Sequence, residues 1–277
     1  MKKIISIVAL CLVPITLFAQ TADIEVSYVA HRPDFSDGVT DVTNQYILLA
    51  NGRESKFFSP KTQYIDSLNS TPEGKAKIAE MTKTALAAGR FDDIPGPDGT
   101  MYVVKSFDLG KLRHYDTSGL EKLVYEEPVC AMEWQVCDST KTVLGYECVK
   151  AIADYHGRKW TVWFAPEIPV QDGPWKFGAL PGLILEAAAV GAQYSFIATG
   201  IQQSQKPIGE VPLSEDYEKV KRIDYLKSKR AFMDNPLGKI NAQYGSTGVT
   251  ISASDGADLE QLFVPASVAD FLETDYH

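Results

Sequence analysis

His156, the loop carboxylates Glu167 and Asp172, Arg158 and the cysteines are the residues of this chain whose types and spacing could do chemistry. His156 could serve as a base, but nothing local presents a nucleophile to it, so it reads as a loop histidine in water. Glu167 and Asp172 are close enough in sequence to form a carboxylate pair, yet hydrolysis needs a defined separation in space that spacing alone does not supply. Arg158, following Gly157, could bind an anion or the carboxylate of a partner. Such an arginine more often makes a bidentate structural pair, here with Glu167 or Glu186. There is no Gly-x-Ser-x-Gly elbow, phosphate loop or dinucleotide fingerprint. The histidines (His31, His114, His156, His277) are scattered and no Cys-x-x-Cys spacing occurs, so no metal and no cofactor is expected.

These residues must be carried by strands. Ile24, Val26 and Tyr28 alternate with polar residues as a half-buried strand does. Tyr46–Leu49 and Arg53–Phe58 flank Asn51-Gly52, the pair a tight hairpin turn prefers. Ser70-Thr71-Pro72-Glu73 is a helix start, Ile78, Met81, Ala85 and Leu86 share a face, and Gly89 stops the helix. From Met101 to Ala153 short apolar runs alternate with turn residues. One of these turns is expected at Asp138–Lys141. The next reversal falls at Gly157-Arg158, followed by an alternating strand over Lys159–Phe164. Leu183–Val190 is nearly all apolar and should be a central strand covered on both faces. Ser214 is expected to cap a helix ending at Pro236 and Gly238, and Val249–Ala253 to add a short strand. The fold class is α+β: one large curved antiparallel meander with two or three appended helices.

Between the strands expected at Lys159–Phe164 and Leu183–Val190 lies a stiff segment. Pro166, Pro169, Pro174 and Pro181 fall in it, with Trp175 and Phe177. Leu180-Pro181-Gly182-Leu183 has proline second and glycine third, as a type II turn requires. Trp175, Phe177, Arg158, Pro181 and Gly182 are the candidate binding residues. The alternative is that the turn launches a buried strand and both aromatics lie in the core, which the frequency of buried aromatics favours. Trp134, Gly145–Ala151, Gly157-Arg158, Trp163–Pro169 and Gly173–Glu186 together resemble the GLPGLI family, exported proteins of unassigned biochemical role. Ala179 stands where the first glycine of that motif belongs. If the position needed a positive φ, alanine would be strained, so a negative φ, or a turn taken by Gly178, is expected. The resemblance implies an exported envelope protein and assigns no catalytic residue.

Lys2, Lys3 and the apolar run Ile4–Phe18 form a secretory leader over residues 1–19, with cleavage after Ala19. Residues 20–277 are then read as a single domain. Leu10 before Cys11 is not the small residue a lipoprotein signal needs. Of the remaining cysteines, Cys130 and Cys148 are the favoured disulfide pair, with Cys137 at the expected turn; buried free thiols are the alternative. The chain carries a formal charge of −9, which disfavours nucleic acid as a partner, and no transmembrane segment is expected. These observations point to an exported, non-catalytic protein of the periplasm or cell surface. It would bind an envelope protein or an apolar ligand on its β-rich surface. An uncharacterised hydrolase using the loop carboxylates or His156 is the alternative.

Overall fold

The structure is a computed structural model that describes residues 20–34, 40–90, 93–129, 132–245 and 271–276. The leader with Cys11, Cys130, the strand expected at 249–253 and His277 lie outside the described residues.

The chain is α+β, dominated by one twelve-stranded sheet. Its first strands are β1 (Ile24–Pro33), β2 (Asp41–Ala50), β3 (Glu54–Phe58), β4 (Tyr102–Ser106), β5 (Lys111–Ser118) and β6 (Glu121–Pro128). Then follow β7 (Gln135–Val143), β8 (Tyr146–Tyr155), β9 (Arg158–Ala165), β10 (Leu183–Ala189), β11 (Ser195–Gln203) and the two-residue β12 (Glu218–Lys219). The order is β12-β6-β5-β4-β3-β2-β1-β11-β10-β9-β8-β7. Two antiparallel runs of sequential neighbours, β1 to β6 and β7 to β11, are therefore sewn together where β1 pairs β11. Among the described residues only β12 on β6 is parallel.

Alternation decides the faces. In β1, Val26, Tyr28 and Ala30 turn into the main core, where Leu48, Phe57, Trp160, Val162 and Phe196 meet them. Leu183, Ile184 and Leu185 at the start of β10 are all buried, as expected for an interior strand.

Four α-helices are present among the described residues: α1 (Pro60–Asn69), α2 (Pro72–Ala87), α3 (Arg222–Asp234) and α4 (Pro236–Gly245). The expected two or three undercounts them, because Pro236, expected to end a helix, instead starts one, and Pro60 starts another directly after β3. Pro60 and Pro236 occupy first-turn positions, where a missing N–H costs nothing. Ser59 caps α1 through its side chain, and Asn235 Oδ1 accepts the Gly238 N–H at the start of α4. Ser214 opens only a short 3-10 turn, and α3 begins eight residues later. Helix α2 begins and ends as expected, with Thr71 capping the Gly74 N–H and Gly89 at φ 65°. However, Met81 and Leu86 of its apolar face are exposed.

The turn expected at Asp138–Lys141 is instead continuous strand β7, carrying a bulge between Val136 and Thr140. The reversal comes at Leu144-Gly145, both at positive φ, as a two-residue hairpin turn of the primed type needs. A leucine rarely adopts that conformation, so nothing local announced the turn. The shift re-registers the ladder. Cys148 pairs with Lys141 rather than meeting a residue near Cys130, and the buried Cys148 and half-buried Cys137 are free thiols.

The turn at Leu180–Leu183 also differs from expectation. The Gly182 N–H donates to Leu180 O at 2.8 Å, while the Leu183 N–H goes to Ile168 O, so the type II bond is not made. Glycine is required for another reason. A Cβ at position 182 would lie 2.3 Å from Ala165 O. Ala179 takes φ 63°, against the expectation of a negative angle there. An L-residue in that region is strained by roughly 1–2 kcal/mol, and Ala179 is exposed, so a glycine would leave no cavity. Ala179→Gly should therefore raise the melting temperature by a degree or more in a thermal melt; a lowered one would show that the alanine is not strained.

Candidate functional site

The segment from Pro166 to Gly182 folds onto the sheet and is fastened by two buried lysines from opposite directions. Asp172, which bridges Gly178 across the loop, receives Lys105 of β4 at 2.5 Å. The same ammonium donates to Gly173 O at 3.0 Å and Phe177 O at 2.6 Å. All three of its N–H groups are thereby used. Lys176, fully buried, reaches the other way to Glu127 of β6 and to Glu273 at 2.7 Å. Between them Trp175 sits at φ 51°, a conformation that a bulky residue keeps only where surrounding packing enforces it. Trp160, Phe177 and Tyr155 enclose it at ring distances of 5.7, 5.1 and 5.8 Å, and Trp134 donates its indole N–H to Gly178 O at 2.8 Å. Trp175 and Phe177 are thus core residues, and Pro181 is exposed beside the buried Gly182.

His156 is not a loop histidine in water. It forms the β8–β9 turn with Gly157, both at positive φ, and the segment 271–276 lies across that turn. His156 O accepts the Thr274 N–H at 3.0 Å. Its side chain is 12% exposed, with Nε2 3.0 Å from Glu127 and Nδ1 3.3 Å from Asp275. Arg222 of α3 completes the cluster through Glu273 at 2.6 Å and Asp275 at 2.7 Å. His156, Glu273 and Asp275 approach one another closely enough to hold a metal ion, but Lys176 and Arg222 already occupy the carboxylate oxygens as counter-charges. The arrangement is an ion-pair latch. Arg158 pairs with neither Glu167 nor Glu186; it donates to the carbonyls of Phe271 and Leu272. Glu167 is exposed and Asp172 is engaged by Lys105, so the loop carboxylates do not act together.

Burial pushes the Glu127 and Glu273 carboxyls up, but His156 and Lys176 more than offset it and hold both at about 2. A carboxyl depressed in the folded state stabilises above its unfolded pKa, and that contribution is lost as pH falls through the folded value. Melting temperature should therefore fall steeply from about pH 4.5 toward pH 2. Glu273→Gln should be less stable at neutral pH and show a shallower acid slope; an unchanged slope would mean that Glu273 is not held in the latch.

Sequence reasoning missed what lies beside this latch. A cavity of about 440 Å³ opens between the sheet and a cover made by α3, α4 and the segment 271–273. Its wall is largely apolar and aromatic: Tyr46, Met101, Trp175, Phe196, Phe232 and Phe271 contribute. At its polar end stand His114 and Asp116, two residues apart on one face of β5. The Asp116 carboxylate accepts from Thr100, the Thr117 N–H, Tyr225 and Lys229 and so fastens α3 to the sheet. Burial first, and then the neighbouring Lys176, depress the His114 pKa against the pull of Asp116, so the ring stays neutral. It stacks on Tyr125 at 4.9 Å, and its Nδ1 has no hydrogen-bond partner. The only signal for this pair was a histidine and an aspartate alternating into the core of a strand, where ionisable groups are rare.

Residues 124–229, from β6 into α3, match a family described as "N-glycanase peptide, N-terminal domain". Two solved structures are also similar. "Structure of PNGF-II in P21 space group" shares 15% identity at a TM-score of 0.49, and "Structure of PNGF-II in C2 space group" shares 14% at 0.47. Each comparison covers 74% of this chain and 32% of the other, so this chain spans about a third of the length of the structures it matches. No curated protein matches.

Proposed function

We propose that this chain is an exported, GLPGLI-type envelope protein that binds an apolar ligand without transforming it, in the cavity between sheet and helical cover. In this reading the meander curves around the ligand and the helices are appended as its lid. The observation that carries the reading is the cavity itself. Its volume lies within the range of small-molecule sites, and its wall is apolar with a few converging polar groups. Of the polar side chains in its wall, Asp116 and Glu273 serve as fasteners for α3 and the segment 271–276. Among the described residues no helix is long and apolar enough to cross a membrane. An environment-sensitive apolar dye, N-phenylnaphthylamine, should brighten on binding the protein. Ala30→Phe, which fills the cavity wall, should abolish the signal while the fold is retained by circular dichroism. Equal dye binding by this variant would sink the reading.

A second reading, a hydrolase or part of one, is favoured by the likeness of residues 124–229 to the N-terminal domain of an N-glycanase. Against it, His156 and Asp172 are both engaged in buried ion pairs. Release of glycan from an N-glycosylated protein by the purified chain, lost in His156→Ala, would replace the first reading with this one.

A further inference from the structure

We infer that the cavity selects an apolar carboxylic acid: a ligand whose hydrocarbon body fills the aromatic chamber and whose carboxylate meets the groups around His114. This rests on the ligand-binding reading above and names its ligand class. The argument is an account of donors and acceptors. The wall contains two carboxylates among the described residues, Asp116 and Glu273. Asp116 accepts four hydrogen bonds, two at each oxygen. Glu273 accepts from Tyr125 and Lys176 on one oxygen and from Arg222 on the other. Asp116 has no capacity left for a cationic or hydroxylic ligand, and Glu273, already paired with Lys176 and Arg222, keeps one lone-pair site on its Arg222-bonded oxygen.

The donors are in the opposite condition. Lys229 uses two of its three N–H groups, on Asp116 at 2.7 Å and on the Tyr225 hydroxyl at 3.0 Å. The Trp175 indole N–H, in the wall, is buried without a partner. His114 is 3% exposed, its Nδ1 is unpartnered, and its Nε2 stands 3.9 Å from Asp116, beyond hydrogen-bond reach. Tyr46, also in the wall, stacks its ring on Phe57 at 4.7 Å, and Gly99 passes so close to its hydroxyl that a Cβ there would lie 2.2 Å away. The neutral imidazole offers one N–H and one acceptor nitrogen, so with Trp175 and Lys229 the chamber presents three free N–H groups, while Asp116 is fully engaged and Glu273 is ion-paired; that balance favours a ligand that accepts. A carboxylate is the acceptor that gains most from several N–H and O–H groups in a low-dielectric site.

The test is a calorimetric titration of the full mature chain with decanoate, 1-decanol and decylamine, which share a hydrocarbon body and differ in the end group. Decanoate should bind at least about tenfold more tightly than the other two, the worth of one or two charge-assisted hydrogen bonds. Tyr46→Phe removes one oxygen, and His114→Phe keeps the ring stack while removing both nitrogens. At least one of them should weaken decanoate by about tenfold and leave decanol affinity unchanged, with the melting temperature of Tyr46→Phe within a few degrees of the parent. Equal or tighter binding of decanol or decylamine would overturn the acid preference and leave the cavity reading standing. A decanoate preference untouched by both variants would place the acid elsewhere and overturn the inference. Failure of all three probes to bind would bring down the ligand-binding reading with it.

Discussion

Replacing Asp172 with alanine should destabilise the protein by about 3–5 kcal/mol, because it leaves the Lys105 ammonium buried with no counter-charge. Both side chains are essentially inaccessible, 0% for Lys105 and 2% for Asp172, so water cannot replace the lost partner. The ammonium would keep two carbonyls, Gly173 O and Phe177 O, which satisfy hydrogen bonds but not charge. Chemical denaturation should show the loss as a lower midpoint with an unchanged slope. The double variant Lys105→Met/Asp172→Asn removes both charges and should be much closer to the parent than the single changes added together, since a buried pair is often worth little against apolar or neutral replacements. Additive losses, or a single-variant loss below about 1 kcal/mol, would show that the pair is solvated and that the loop is not fastened through it.

Trp175→Ala should cost about as much, roughly 3–5 kcal/mol for a fully buried tryptophan. Trp175 has no exposed surface and is enclosed by Trp160, Phe177 and Tyr155. Its removal also strips the Lys176 ammonium of a ring 5.3 Å away. A thermal melt should shift by about ten degrees, and iodide should quench little of the parent's fluorescence from this residue. Were Trp175 instead a surface anchor for a partner, the melt would stay in place and the ring would quench readily; that pair of results would reverse the assignment. Because Trp175 also lines the cavity, the variant that does fold should bind apolar dye differently from the parent, a coupling that a purely peripheral loop would not show.

Part of this protein is local chemistry and could be read from the chain alone. Alternation of period two marked most of the strands, and the continuous apolar start of β10 marked it as interior. Thr71, Pro72 and Gly89 bounded α2, because caps and left-handed stops depend on residues within one turn of each other. The proline-rich loop was legible as stiff, and its aromatics as core. Errors arose where two local signals compete. Pro60 and Pro236 end one element and begin another, and Leu144 holds a turn conformation for which the polar run Asp138–Lys141 is the better local candidate. The site itself lay beyond local reading. Glu127, His156, Lys176, Arg222, Glu273 and Asp275 come from five separate segments. Asp116 meets Tyr225 and Lys229 more than a hundred residues away. Which of these charges face one another is set by strand register and by the docking of α3 and the segment 271–276. Register can exchange every neighbour without altering the hydrophobic pattern of a single strand. Only the tertiary structure therefore decided that His156 is a latch, that Asp172 is a counter-ion and that a cavity lies beside them.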